Sequence, residues 1–229
     1  LFNNFIMCGI SAYLGNNNNN NITIDCLLAS LKMLQNRGYD SAGICYLKDN
    51  NIYNTKYASD EISGIEKLEK NEYQKTNIGI AHTRWATHGP KNDINAHPHL
   101  DYTGRFAIVH NGIIENYYQL KQELLSKGIK FKSATDTEVI INLFSYYFSL
   151  LQNKELALQE TINRLEGTWG LVIIDKEEPD ELFVTRRGSP LLLGKTDDYI
   201  MITSEISGFC NFINQYFIIK ENDIIICQR

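Results

Sequence analysis

The stretch from Ile78 to Gly89 reads IGIAHTRWATHG, and it joins an apolar half to a dense group of polar residues. The alternation of its first half is typical of a β-strand, which we predict over Ile78–Thr83. The second half carries arginine, threonine and histidine side chains that a hydrophobic core does not need. Because binding groups are usually presented on loops at strand ends, this segment is the first candidate for a functional site.

Similar patterns elsewhere predict the remaining elements. Seven further strands are expected, at Cys8–Leu14, Ala42–Leu47, Phe106–Val109, Leu171–Asp175, Leu182–Thr185, Tyr199–Thr203 and Ile224–Cys227. Four helices are expected: 24–34 with Thr23 as N-cap, 115–127 ended by Gly128, one beginning with the capping-box sequence Thr135 to Glu138, and 155–165. Strands and helices come in clusters rather than in strict alternation, which favours an α+β fold with layered sheets in one domain.

Composition excludes several classes of protein. The 229 residues include 22 basic and 27 acidic side chains, a net charge of −5, which argues against nucleic-acid binding. No apolar run approaches the roughly 18 residues of a membrane span. The opening segment Leu1–Met7 is too short and too uncharged for a secretion signal. We therefore expect a soluble protein of the cytoplasm.

Cysteine usage agrees with a reducing compartment. The five cysteines are an odd number without a C-x-x-C pair, so we expect neither a disulfide framework nor a thiolate zinc site. Most of them should be small buried hydrophobic residues. The six asparagines Asn16–Asn21 are interpreted as a solvated loop without a role.

The five histidines raise the question of a metal centre, because imidazole is a common ligand. They stand at positions 82, 88, 97, 99 and 110. No H-E-x-x-H helix or carboxylate partner accompanies them, so we favour hydrogen-bonded structural histidines and expect no metal. On its own, Asn111-Gly112 predicts a type I′ hairpin turn, and Thr135–Glu138 predicts only a helix cap.

Co-occurrence of short segments changes these interpretations. Five appear in order: Met7–Ile10, Arg37–Gly43, Ile80–Gly89, His110–Asn116 and Thr135–Val139. Together they resemble the glutaminase domain of the class II glutamine amidotransferases, which are N-terminal-nucleophile hydrolases. The resemblance extends from Cys8 nearly to Arg229, through Gly167–Gly170 and Arg187–Pro190. It implies a four-layer αββα sandwich formed by residues 8–229.

The resemblance also implies a set of catalytic residues. Cys8 would be the nucleophile, activated by its own α-amino group, and would form a thioester with glutamine while releasing ammonia. The Asn111 side-chain amide and the Gly112 backbone N–H would bind the oxyanion. Glutamine would be held by its carboxylate on Arg84 and by its ammonium on Asp136. Trp85, Thr87 and His88 would line its pocket. No cofactor is implied.

Small differences select a branch of the family. Two features resemble the branch that converts fructose 6-phosphate to glucosamine 6-phosphate: the tyrosine in Arg37–Ser41 and the string Arg84–Gly89. The amidophosphoribosyltransferases match these features less well and remain the alternative. A sugar-isomerase domain or subunit would then be the partner that receives the ammonia. A homodimer is compatible with the sequence.

The seven residues before Cys8 are a departure from the family pattern, because an acylated nitrogen is not a base. We expect Met7 to be the true initiator and to be removed, with self-removal of a propeptide as the weaker alternative. If Cys8 kept a blocked amine, the chain would be a catalytically silent glutamine-binding module.

Overall fold

Two antiparallel β-sheets lie face to face in the computed structural model, which describes residues 8–16, 22–86 and 88–229. The larger sheet contains β1 (Gly9–Gly15), β2 (Ser41–Lys48), β3 (Asn51–Ala58), β4 (Ile78–Arg84), β9 (Leu192–Lys195), β10 (Tyr199–Thr203) and β11 (Tyr216–Ile218). The smaller contains β5 (His99–Leu100), β6 (Phe106–Ile114), β7 (Gly167–Asp175), β8 (Glu178–Arg187) and β12 (Ile224–Gln228). The strand orders are β11-β9-β10-β1-β4-β2-β3 and β12-β8-β7-β6-β5.

Helices cover the outer face of each sheet. They are α1 (Thr23–Leu34), α2 (Gly64–Glu69), α3 (Tyr117–Ser126), α4 (Asp136–Leu151) and α5 (Lys154–Arg164), with 3₁₀ turns at Gln35–Arg37 and Ile206–Phe209. None of the helices in the described part of the chain is long and apolar enough to cross a membrane.

Three hydrophobic clusters hold the layers together. One fills the space between the sheets, with Ile10, Ile80 and Val109 among its members. A second joins the smaller sheet to α3, α4 and α5 through Phe106, Phe144 and Trp169, and a third joins the larger sheet to α1 and α2. The strands of each sheet thus pack one face against the other sheet and the opposite face against helices. The predicted αββα sandwich is confirmed.

All eight predicted strands and all four predicted helices are present, most with shifts of only a few residues at their ends. Sequence patterns missed β3, β5, β9, β11 and α2. These are short or only partly buried, so their apolar patterns are weak: β3 is exposed or half-buried throughout, and β11 is exposed along its length. Gly128 ends α3 with φ +84°, as predicted.

The hairpin turn predicted at Asn111-Gly112 is wrong. Strand β6 continues to Ile114, and it pairs Asn111 with Gly170 and Gly112 with Trp169 of β7. A type I′ turn needs positive φ at both central residues, and here only Gly112 has it. Long-range pairing with β7 therefore overrides the local turn preference of the dipeptide.

Two predicted helix caps also need correction. The N-cap of α1 is Ile22, because the Thr23 hydroxyl donates to the Thr76 carbonyl, 2.5 Å away. At α4 the Thr135 hydroxyl accepts from the Glu138 N–H, as predicted. The second bond of a capping box, from the Thr135 N–H to the Glu138 carboxylate, is not formed, because this N–H donates to Ser133 Oγ. The Glu138 carboxylate accepts from the N–H groups of Lys132 and Ser133 instead, which orders the segment leading into the helix.

Residues 1–7, the asparagines 17–21 and Thr87 lie outside the described residues, so the predictions made for them are not tested here. All five cysteines are described, and none forms a disulfide. Cys26, Cys45 and Cys227 are buried, as predicted for most of them.

Candidate active site

Cys8 lies immediately before β1, where two side chains anchor the first residues of the strand. The Gly9 N–H donates to Thr83 Oγ1 at 3.2 Å, and the Ile10 N–H donates to Ser204 Oγ at 3.0 Å. The backbone N–H of Trp85 donates to Cys8 Sγ at 3.1 Å. Burial raises the pKa of the Cys8 thiol, while this N–H and the charge of Arg84 act in the opposite direction. The sulfur thus has one fixed donor that would stabilise a thiolate.

Asn111 reaches Cys8 from the last part of β6, and Gly112 follows it in the strand. Asn111 is 1 % exposed, and its Nδ2 donates to the Cys8 carbonyl oxygen at 2.6 Å. Gly112 has φ +129°, and a Cβ atom built there would lie 2.2 Å from the Thr168 carbonyl oxygen. Only glycine fits where β6 passes this close to β7.

Arg84 ends β4 and is almost fully buried. Its Nη2 donates to the carbonyl oxygens of His88 and Gly89, whereas Nη1 has no hydrogen-bond partner among the described residues. A buried guanidinium N–H without a partner is costly, and an anionic ligand would satisfy it.

Asp136 is the first residue of α4, and its side chain is 6 % exposed. One carboxylate oxygen, Oδ2, accepts from the Ile114 N–H at 3.0 Å, and His88 Nδ1 lies 3.9 Å from the same atom. The carboxylate lies at the N-terminus of α4, the positive end of the helix dipole.

The cavity between these elements collects most of the predicted residues. Its lining includes Arg84, Trp85, His88, Gly112 and Asp136. Cys8 and Asn111 are not part of that lining, but Cys8 contacts both Trp85 and Asn111. Of the eight predicted site residues, only Thr87 cannot be placed.

Asp40 contributes to this site, although the sequence did not indicate its role. Its Oδ2 accepts from the Ala86 N–H at 2.9 Å, and its own N–H donates to the Arg84 carbonyl at 3.0 Å. Tyr39 packs edge-on against Trp85, with ring centroids 5.1 Å apart. Tyr39 and Asp40 therefore hold the loop after β4, and the only signal for them in the sequence was that they lie in one of the five segments quoted above.

Four histidines form a buried layer at the cavity, and two of them, His97 and His110, line it. His97 Nε2 and His110 Nδ1 both lie within 3.0 Å of the Thr137 hydroxyl, and His99 Nε2 lies 3.2 Å from the Thr135 hydroxyl. His82 is the fourth. Among the described residues, no group of three or more histidine, cysteine or acidic side chains is arranged to hold a metal ion. All four are buried and hydrogen-bonded within the fold.

This layer should make the fold sensitive to mild acid. Burial lowers the pKa of His82 to about 3, and it also lowers the pKa values of His97, His99 and His110. The unfolded chain takes up these protons near pH 6.5 and the folded chain does not, so stability is full above that pH and falls below it. Between pH 7.5 and 5.5 we expect His82, His97 and His99 each to lower the free energy of unfolding by about 1.4 kcal/mol, which sums to about 4 kcal/mol, and His110 to add to this loss.

Urea unfolding at the two pH values measures this loss. His99→Gln, which removes one of the four groups, should lose about 1.4 kcal/mol less than the wild type over the same interval. A wild-type free energy of unfolding that changes by under about 1 kcal/mol would contradict the assignment of neutral histidines to the folded state.

Comparison with known proteins gives the same picture. The family described as "Glutamine amidotransferase domain" matches residues 82–211. A probable glutamine–fructose-6-phosphate aminotransferase (isomerizing) of Acanthamoeba polyphaga mimivirus is 44% identical over 223 residues, covering 95% of this chain and 36% of that protein. The aminotransferase of the same name from Caldanaerobacter subterraneus subsp. tengcongensis is 40% identical over 97% of this chain and 36% of its own length. The chain thus spans about a third of the length of these relatives.

Solved structures agree on the fold. The glutamine phosphoribosylpyrophosphate amidotransferase of B. subtilis superposes with a TM-score of 0.79 at 24% identity, over 96% of this chain and 47% of that one. The match to the family covers more than half of the chain, and the two relatives are 40–44% identical over nearly all of it, so the family assignment is direct. The chain belongs to the glutamine amidotransferase domain family, in its class II branch.

Proposed function

We propose that this chain hydrolyses glutamine to glutamate and ammonia through a thioester on Cys8. The observation that carries the proposal is that the start of β1, the end of β4, strand β6 and the start of α4 meet beside one cavity. Cys8 Sγ lies against the Trp85 N–H, the Asn111 amide reaches the Cys8 carbonyl, and Arg84 and Asp136 line the space beside them. A nucleophile, a donor for developing negative charge and two groups of opposite charge are the parts that amide hydrolysis of an amino acid needs.

Activation of the nucleophile requires a base. Within the described residues, the hydrogen bonds of the Cys8 sulfur are to the backbone of Trp85 rather than to a histidine. We assign the base to the α-amino group of Cys8 after residues 1–7 are removed, since an α-amine with a pKa of about 7.7–8.0 exchanges protons readily near neutral pH. Attack of sulfur on the carboxamide carbon forms the tetrahedral intermediate, its collapse expels ammonia, and water then releases glutamate.

The oxyanion of that intermediate would be bound by the Asn111 Nδ2 amide and the Gly112 N–H. Asn111 is held by the hydrogen bond to the Cys8 carbonyl, so the donor is in place before the reaction. Donors that need no rearrangement contribute most to the stabilisation of a transition state.

Glutamine recognition would use the two charged residues of the cavity. The buried Nη1 of Arg84 would pair with the α-carboxylate, and the Asp136 carboxylate would pair with the α-ammonium. Trp85 and His88 line the same cavity and would contact the side chain of the substrate, together with Thr87.

Replacing Arg84 with lysine should raise the KM for glutamine about 10- to 100-fold, with a smaller change in kcat. Lysine keeps the positive charge but lacks the planar fork that can donate to the loop carbonyls and the substrate at once. Steady-state hydrolysis kinetics measure both constants. An unchanged KM would remove Arg84 from glutamine binding.

The ammonia would serve to convert fructose 6-phosphate to glucosamine 6-phosphate in a sugar-isomerase domain or subunit. This part of the proposal rests on the names of the relatives, which are 40–44% identical over nearly the whole chain. Unpaired cysteines agree with a reaction in the reducing cytoplasm. That the chain binds no nucleic acid and is compatible with a homodimer stays a prediction.

The proposal is tested by comparing two forms of the chain, one beginning at Cys8 and one that keeps residues 1–7, with intact-mass analysis of each. We expect the form with the free amine to release glutamate and ammonia from glutamine, and the longer form to be inactive unless it is processed. If the protein as purified keeps residues 1–7, glutamine binding without turnover would instead support a silent binding module. A Cys8-terminal form that does not hydrolyse glutamine would contradict the proposal.

A further inference from the structure

His82 lies at the centre of the larger sheet, next to the Asn111 side chain. It belongs to β4, where it pairs with Ile10 of β1 and Gly43 of β2, and it is 0 % exposed. Its ring stacks on that of His97 with centroids 4.1 Å apart. The imidazole therefore has one available position and cannot swing away from its neighbours.

The partners of His82 Nε2 determine which nitrogen carries the proton. This atom lies 3.1 Å from the His110 carbonyl oxygen and 3.0 Å from Asn111 Oδ1. A backbone carbonyl can only accept, so Nε2 must carry the hydrogen whichever way the Asn111 amide is turned. Since burial also keeps the pKa of His82 far below neutral pH, Nδ1 is unprotonated.

A fixed donor at Nε2 in turn determines the orientation of the Asn111 amide. The amide atom that faces His82 has to be an acceptor, so it is Oδ1, and Nδ2 then points to Cys8. The reverse orientation would place an NH₂ group against an N–H and a carbonyl oxygen against the Cys8 carbonyl, which breaks two buried hydrogen bonds. Each buried polar group left without a partner costs about 1–3 kcal/mol.

We propose that His82 is a positioning residue for amide hydrolysis, which turns the Asn111 side chain so that its NH₂ group points to Cys8, where the oxyanion of the substrate carboxamide forms. The proposal rests on the proposed function, because it assigns a role through Asn111 as the oxyanion donor. His82 touches neither Cys8 nor the substrate cavity in this account. Its contribution is to hold one amide in one of two orientations.

Two substitutions of similar size separate positioning from packing. In His82→Gln the amide nitrogen occupies nearly the position of Nε2 and keeps the donor. In His82→Asn the shorter amide can reach only the position of Nδ1. We expect kcat to fall less than 10-fold in the first variant and about 100-fold in the second, with the KM for glutamine unchanged in both.

A double-mutant cycle tests whether His82 acts through Asn111. In an Asn111→Ala background, His82→Asn should lower kcat no more than about twofold, because the amide that it orients is gone. The proposal would be overturned if the fold-reductions in kcat caused by His82→Asn and Asn111→Ala multiplied in the double variant. Equal kcat values for His82→Asn and His82→Gln would also overturn it.

A measurement on the wild-type protein covers the case in which a variant does not fold. Nitrogen-15 NMR of the histidine side chains should show His82 as the Nε2–H tautomer at pH 7, with its signals identified by their loss in His82→Gln. An Nδ1–H tautomer would refute the proposal. If the wild type with a free Cys8 amine hydrolysed no glutamine, the proposed function would fail. If it hydrolysed glutamine but the effects of His82→Asn and Asn111→Ala on kcat multiplied, only the role of His82 would be rejected.

Discussion

Replacing Cys8 with alanine should lower the rate of glutamine hydrolysis by at least about 10⁴-fold, because alanine offers no atom that can attack the carboxamide. Water would have to attack directly, and the oxyanion donors alone recover only part of the rate. Alanine is smaller than cysteine and keeps the backbone of β1, so the fold and the cavity should be retained.

Cys210→Ala is the matched control. Cys210 is half-buried like Cys8, but its sulfur contacts the Gly208 carbonyl beside a 3₁₀ turn, whereas the sulfur of Cys8 contacts the backbone of Trp85. We expect this variant to keep the wild-type rate. Calorimetric titration with glutamine should show that Cys8→Ala still binds the substrate. Equal ammonia release by Cys8→Ala and the wild type would reject the thioester mechanism.

The second large effect is expected for Gly112→Ala. An alanine Cβ would lie 2.2 Å from the Thr168 carbonyl oxygen, and φ is +129°, which residues with a side chain rarely adopt. Strand β6 has to move away from β7, and this displaces both Asn111 and the Gly112 N–H. We expect kcat to fall at least about 100-fold and the free energy of unfolding to fall by about 3–5 kcal/mol.

Gly104→Ala is the control that separates the steric clash at Gly112 from the cost of placing an alanine at positive φ. Gly104 also has positive φ, +74°, but a Cβ there meets no atom within 4 Å. It should lose only about 1–2 kcal/mol of stability and keep full activity. Chemical denaturation and steady-state hydrolysis of the two variants give the comparison. If both variants behaved alike, the close approach of β6 and β7 would not be the cause.

The strands and helices that bury a continuous apolar face could be predicted from the sequence. The clearest cases are β4, β7 and α4, whose apolar residues recur with the period of the element. Strand β3 could not be predicted, because it is a half-buried edge strand whose polar and apolar residues follow no strong alternation. Asn111-Gly112 misled local reasoning because the pairing of β6 with β7 is stronger than the turn preference of two residues.

The candidate site was predictable as a set of residues, but its arrangement was not. Cys8, Arg84, Asn111 and Asp136 were indicated by short segments in a fixed order. The segments alone did not show that Asp40 holds the loop after β4 or that His82 orients Asn111. Both act through hydrogen bonds between residues 29 to 46 positions apart, which no local pattern records.

The sequence by itself determined which chemical groups this protein possesses and which segments become strands and helices, because both depend on residue type and short-range periodicity. Only the tertiary structure decided which nitrogen of His82 carries its proton, which way the Asn111 amide faces and why Gly112 has to be glycine. These properties depend on atoms that long-range strand pairing brings within about 3 Å of one another.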